Sequence, residues 1–227
     1  MARRVADAVR RTPDLVLGLP AGRTPVEAYT ELCRLYSAGE TDFSQATAFL
    51  LDEFVGLDRS QPGSFRRFLT EHLLDGINLD PNRTYSLDGV AADPDAECER
   101  YEDAIAAAGG FDLVLLGIGV NGHIGFNEPG DRLVARTHRV ALLDGTRAEN
   151  AGPFGGDASR VPRAALSIGM GTILQAERIL LLATGERKAP AVAGMLRGPV
   201  TPMLPASFLQ LHRRVEICLD RAAAAAL

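Results

Sequence analysis

Residues 111–116 form a run that is apolar except for Asp112 and stops at Gly117-Ile118-Gly119-Val120-Asn121-Gly122-His123-Ile124-Gly125-Phe126-Asn127-Glu128-Pro129-Gly130. An apolar run of this length, bounded by a turn, reads as a buried strand. The glycines let the backbone bend tightly and let a ligand come close. Acid/base side chains at the end of such a strand sit where open parallel sheets bind small molecules. Residues 14–19, 46–51, 139–143, 178–183 and 215–219 read as further strands. Residues 25–36, 64–73, 95–108, 172–176 and 188–196 read as helices, and Val5, Ala8 and Val9 as a short helical stripe before the first strand. Strands alternating with helices imply an α/β chain with a Rossmann-like, mostly parallel sheet covered by helices on both faces. A chain of 227 residues, 46% hydrophobic, is long enough for one sizeable core, which predicts a single domain. Residues 144–163, rich in glycine and charge with little periodicity, read either as a lid or as a plain loop. The alanines of 222–226 read as a frayed helix or tail.

Composition excludes several classes of partner. The net charge is -5 and the basic residues do not cluster, which argues against nucleic acid. No apolar run approaches the roughly 20 residues a membrane helix needs. Residues 1–11 carry arginines but no apolar segment, so they do not read as a signal peptide. Cys33, Cys98 and Cys218 are far apart and in no C-x-x-C pair, as expected of reduced thiols in a cytoplasmic protein. His72, His123, His138 and His212 show no metal-ligand spacing, so no metal is expected.

Three more loops carry chemistry. In Leu17-Gly18-Leu19-Pro20-Ala21-Gly22-Arg23-Thr24-Pro25, Thr24 suits a helix N-cap, with Pro25 at the first helical position and Glu27 at the third, a capping box. The helix N-terminus there, with Gly22 and the Arg23 charge, makes an anion site; the blander reading is an ordinary strand-to-helix turn. Asp52 and Glu53 follow the strand at 46–51, where a general base has to stand, although in isolation they read rather as a solvated pair or as the start of the next element. Residues 182–189 again run from strand through Gly185 into a helix, with Lys188 as a point charge for phosphate. Gly117 to Gly122 match G-x-G-x-x-G, and Asp144 mimics a ribose-binding acid. The dinucleotide fingerprint needs its third glycine to open a helix, which Gly125, Pro129 and Gly130 forbid.

Taken with their order, these motifs resemble the glucosamine-6-phosphate deaminase family, within the wider superfamily of 6-phosphogluconolactonases. The matching stretches are LGLPAGRTP from Leu17, LLDEFVGL from Leu50, LLGIGVNGHIGFNEPG from Leu115, ALSIGMGTILQAERILLLATGERKA from Ala165 and PASFLQLH from Pro205. A lactonase is expected to show an aspartate before Gly122 and no Phe-Asn-Glu-Pro run. The sugar-sensing domains of related repressors normally follow a DNA-binding module. The resemblance implies conversion of glucosamine 6-phosphate and water to fructose 6-phosphate and ammonia, in amino-sugar catabolism. Asp52 is implied as the base that moves the C2 proton to C1, and His123 as the group that opens the ring, supported by Asn121 and Glu128. Gly22, Arg23, Thr24, Gly119 and Lys188 are expected to bind substrate and its phosphate. No cofactor is implied, because proton transfers carry the reaction. The alternatives are the same scaffold acting on galactosamine 6-phosphate or 6-phosphogluconolactone, or a sugar-phosphate sensor without turnover.

The chain departs from the family pattern at several points. Many members have aspartate where Asn121 stands, though asparagine also fits the family pattern. They usually have a phosphate-binding arginine where Gly152 falls, and a small residue where Arg23 stands, so Arg23 is expected to replace the missing arginine. His138 stands nearest the arginine of the family's allosteric pocket, so activation by acetylated sugar is not expected. The family also usually has a further strand before Asp14. A sheet edge without it would favour association into a homo-oligomer.

Overall fold

The computed structural model describes residues 1–227. Helix α1 (Ala2–Arg11) buries Val5, Ala8 and Val9, the stripe its periodicity predicts. The chain then lays down β1 (Val16–Leu19), α2 (Val26–Ser37), β2 (Thr47–Leu50), β3 (Asp52–Phe54), α3 (Phe65–His72), β4 (Thr84–Tyr85), α4 (Pro94–Ala107) and β5 (Leu113–Leu116). It continues through β6 (His138–Ala141), α5 (Asp144–Glu149), β7 (Ala164–Ser167), α6 (Met170–Leu174), β8 (Arg178–Ala183), α7 (Ala189–Arg197) and β9 (Val215–Leu219). Six strands form one sheet in the order β4-β2-β1-β5-β8-β9, with every adjacent pair parallel.

The alternation of each central strand assigns its side chains to two layers. Val16, Phe49, Val114, Leu116 and Leu181 pack on one face with Tyr101 of α4, Ile173 of α6 and Val192 of α7. Leu17, Leu19, Leu113, Leu115 and Leu180 pack on the other with Val5 and Val9 of α1 and Leu32 of α2. Burying one such side chain contributes about 1.5–3 kcal/mol. Phe49 is fully buried, stacked on Tyr85 with ring centroids 4.5 Å apart. Truncating it to alanine would cost about 3–5 kcal/mol.

The structure differs from the sequence reading in four places. A second, antiparallel sheet of order β3-β7-β6 takes the strand expected at 139–143 out of the parallel sheet. Residues 144–163 are neither a structureless loop nor a detached lid. They begin with α5, bury Phe154 and Val161 beside Phe54, Phe65 and Phe126, and are pinned by Arg147, which donates to the carbonyls of Ala158, Ser159 and Val161. The capping box at Thr24 does not form. α2 starts at Val26, Pro25 occupies the cap, and no side chain caps the helix. The alanine-rich end is anchored at one residue: Ala223 is fully buried and its N–H donates to Asp220, while Ala225 and Ala226 are exposed.

The sheet order reverses direction at β1. From there the chain builds outward to β2 on one side, and through β5 to β8 and β9 on the other. The crevice beyond the carboxyl ends of β1 and β5 is therefore the topological switch point, where open parallel sheets take ligands.

Candidate active site

A cleft of about 860 Å³ opens at that switch point. Its lining comes from loops that follow parallel strands: Gly22 to Pro25 after β1, Asp52 after β2, Gly117 to Val120 and His123 after β5, Thr184 to Lys188 after β8, and Asp220 after β9. Asp52 and His123 face one cavity. Gly22, Arg23, Thr24, Gly119 and Lys188 line it too, whereas Asn121 and Glu128 lie outside its wall.

Asp52 sits where the chain leaves the parallel sheet. Leu51 still bonds to β1 through its N–H, and Asp52 then pairs with Ser167 of β7 in the antiparallel sheet. Successive strand residues face opposite ways, so Asp52 and its neighbour Glu53 part company. Glu53 is not in the cleft, contrary to a reading of the two as one acid pair. It is buried and accepts from the Ser64 hydroxyl and from the N–H groups of Phe54, Phe65 and Arg66, thereby closing the start of α3. Burial raises the Glu53 pKa, and those four donors offset only part of the rise. Asp52 is 7% exposed. Burial first, and then the charge of Glu53, push its pKa up to about 8.

The His123 loop is folded on itself. Gly119 N–H donates to His123 O at 2.9 Å and Gly122 N–H to Gly119 O at 3.0 Å. Asn121 Nδ2 donates to Glu128 Oε2 at 3.0 Å, and Asn121 Oδ1 accepts from the backbone N–H of His123 at 3.2 Å. Asn121 thus positions the histidine through the main chain and not through its ring. Glu128 faces the ring: His123 Nδ1 lies 3.6 Å from Glu128 Oε2, beyond hydrogen-bond range, and has no other partner. Burial raises the Glu128 pKa, but the His123, Thr146 and Asn121 side chains outweigh it and hold the carboxyl below its usual value. Gly125, at φ +57°, brings the loop against Asp52; a Cβ there would lie 3.0 Å from Ser167 Oγ and 3.8 Å from Asp52 Oδ2. Asn127, equally prominent in the sequence, is structural: its Nδ2 donates to the carbonyls of Ile124 and Ile168.

The same cleft also carries charged side chains. Arg23 and Thr24 stand before α2 and Lys188 before α7. Burial lowers the Lys188 pKa, partly offset by Glu149, whose Oε2 lies 3.4 Å from Lys188 Nζ. Glu149, Asn150 and Asp220 line the cleft too, beyond the residues that the sequence singles out. Glu149 and Asn150 belong to a segment whose helix shows no periodicity, so no signal announced them. Asp220 was within reach, since it follows a predicted strand at its carboxyl end; it accepts from Gly185 N–H at 3.0 Å and so braces the turn that carries Lys188. No group of three or more His, Cys, Asp or Glu is gathered to hold a metal ion. No helix is long and apolar enough to cross a membrane.

This arrangement suits proton transfer on a small anionic substrate: a carboxyl with its pKa pushed up to about 8, an imidazole, and the cations Arg23 and Lys188 line one cleft. Comparison with known proteins agrees with it. The profile of the family described as glucosamine-6-phosphate isomerases/6-phosphogluconolactonase matches residues 1–217. The glucosamine-6-phosphate deaminase of Arthrobacter sp. (strain FB24) is 46% identical over 226 residues, 98% of this chain and 86% of the relative. Glucosamine-6-phosphate deaminase 2 of Bacillus subtilis (strain 168) is 47% identical over 221 residues, 97% and 89% of the two chains. A solved structure of a monomeric glucosamine-6-phosphate deaminase superimposes with a TM-score of 0.96 at 42% identity, covering 100% of this chain and 93% of that one. A 6-phosphogluconolactonase from Thermotoga maritima shares the fold at 20% identity, with a TM-score of 0.72 over 96% and 95% of the chains.

Proposed function

The chain belongs to the family of glucosamine-6-phosphate isomerases and 6-phosphogluconolactonases, and on that premise we propose that its cleft converts glucosamine 6-phosphate and water to fructose 6-phosphate and ammonia, with Asp52 and His123 as the proton carriers. The observation that carries this reading is that both side chains line one cavity together with Arg23, Thr24 and Lys188. A hexose phosphate anchored at the cations by its phosphate would extend toward the carboxyl and the imidazole.

His123 is the group that moves a proton between the ring oxygen and the C1 hydroxyl, which opens the ring. Glu128, close to Nδ1, supports the ring nitrogen that faces away from the substrate. Asp52 then takes the C2 proton and returns it to C1. The aldose becomes a ketose-level imine, which water hydrolyses with loss of ammonia. A positioned acid or base of this kind contributes about 10²–10⁴-fold. The substrate's ammonium group, arriving beside Asp52, favours the ionised carboxylate that the base needs. Phosphate binding rests on Arg23 and Lys188, aided by Thr24 and the start of α2.

Ammonia release from glucosamine 6-phosphate, galactosamine 6-phosphate and, as a control, lactone hydrolysis of 6-phosphogluconolactone test the reading. Glucosamine 6-phosphate is expected to be the productive substrate. Asp52→Asn is expected to abolish solvent exchange of the C2 proton while fructose 6-phosphate still binds; continued exchange would refute the assignment of the base.

A further inference from the structure

One side chain at the cationic end has the wrong sign for a phosphate site. Glu149, the last residue of α5, places Oε2 3.4 Å from Lys188 Nζ and Oε1 3.4 Å from Arg187 Nη2. The Lys188 and Glu149 side chains are only 18% and 19% exposed, while that of Arg187 is 77% exposed. Both members of the Lys188 pair line the main cleft, as does Arg23. None of the proton transfers requires a carboxylate here. A carboxylate oxygen on a lysine ammonium does what a phosphate oxygen would do.

We infer that Glu149 is an internal anion that occupies the phosphate cradle of the empty protein, so that a phosphorylated ligand binds by displacing its carboxylate from Lys188. The inference rests on the phosphate cradle proposed above. A phosphate dianion and a carboxylate in contact with the same half-buried ammonium repel each other, and little water is present to screen them. Arg187 gives the carboxylate somewhere to go: it already holds Oε1 and stands at the solvent edge, so Glu149 can swing outward without losing every partner. With Glu149 turned away, Arg23 and Lys188 leave the cradle net positive. When product dissociates, the carboxylate returns. Glu149 thereby sets how tightly the cleft holds any phosphorylated compound, and it keeps inorganic anions from filling the site.

The test is a calorimetric titration of inorganic phosphate into the wild-type protein, Glu149→Gln, Glu149→Ala and the double variant Glu149→Gln/Lys188→Gln. Ammonia release from glucosamine 6-phosphate is measured on the same preparations. Both single variants are expected to bind phosphate about threefold to fivefold tighter, the range of a partly exposed ion pair. Their KM should fall by a similar factor while kcat does not rise, and the double variant should lose the gain. Equal or weaker phosphate binding by both single variants would overturn the inference, leaving Glu149 as a group that only orients Lys188. Phosphate binding by none of the proteins, with glucosamine 6-phosphate still deaminated, would overturn it as well while sparing the proposed reaction. If neither binding nor turnover is seen, the proposed function itself fails.

Discussion

Gly119 lies directly against the imidazole of His123: a Cβ built on it would fall 2.3 Å from both Nδ1 and Cε1 of the ring. The glycine is therefore a spacer for the acid/base group, and its role is close approach rather than backbone freedom. Gly119→Ala is expected to push the ring off the cleft while the fold survives, because the clash is with a side chain and not with backbone. A displacement of about 1 Å costs on the order of 10²-fold in turnover. Steady-state kinetics on glucosamine 6-phosphate would show the loss in kcat. Thermal melting within a few degrees of wild type would show that the cause is local. Retention of full activity would mean that His123 does not work from its present position.

Asp52 links catalysis to stability through pH. Its carboxyl titrates at about 8 in the folded chain, because of burial first and Glu53 second, against about 3.9 in an unfolded one. Between those values the native protein holds a proton that the unfolded chain has released, so stability falls as pH rises through the window and is fully retained below it. Asp52→Asn removes the titration. The variant should match wild type near pH 4 and melt higher at pH 8, by at least about 3 °C, given roughly 2–4 °C per kcal/mol for a chain of this size. In the wild type, kcat/KM should rise along an acid limb ending near pH 8, where the free protein's base becomes ionised. A limb near pH 4 would show that the carboxylate is ionised in the empty cleft.

The features legible in the sequence were those with a local physical signature. The strands at 178–183 and 215–219 coincide with β8 and β9, because apolar runs of β-formers bounded by polar residues leave little choice of end. The convergence of the Gly22, Asp52, His123 and Lys188 loops follows from strand–helix alternation alone, since all parallel strands end on one side. What the sequence hid depends on partners far along the chain. β3 is only three residues, two of them carboxylates, and it is a strand because β7 pairs with it. Thr24 has the pattern of a cap and yet caps nothing, because Pro25 takes that position and Thr24 lines the cleft. The division of labour between Asp52 and Glu53 needs the opposite faces of β3, which no spacing argument reveals without the strand.

Glu53 is the next test of that division. Its two oxygens meet donors only: Oε1 faces the N–H groups of Phe54 and Phe65, and Oε2 faces Ser64 Oγ and Arg66 N–H. Glu53→Gln keeps the shape but turns one acceptor into a donor, leaving buried N–H groups without partners. Each such group costs about 1–3 kcal/mol. The variant should lose about 2–4 kcal/mol in urea unfolding, with α3 frayed at Phe65. A loss under about 0.5 kcal/mol, the usual size of a surface change, would place Glu53 outside the fold's essential contacts.

Arg23 and Gly152 provide the most specific test of the phosphate end. The family resemblance implies an arginine where Gly152 stands. A Cβ at Gly152 would meet nothing within 4 Å, so no neighbour has filled the vacated space. Gly152 instead lines a side cavity of about 350 Å³ whose wall it shares with Arg23. Arg23 borders both that cavity and the cleft, so an arginine introduced at Gly152 would extend into space that Arg23 also lines. Arg23→Ala should raise the KM for glucosamine 6-phosphate about tenfold, the loss of one charge-assisted bond of roughly 1.5 kcal/mol, with kcat little changed. Gly152→Arg introduced into that variant should recover most of the affinity, because the new side chain enters open space from the other wall. An unchanged KM in Arg23→Ala would remove Arg23 from the cradle. Failure of Gly152→Arg to rescue a weakened Arg23→Ala would show that the two positions are not interchangeable.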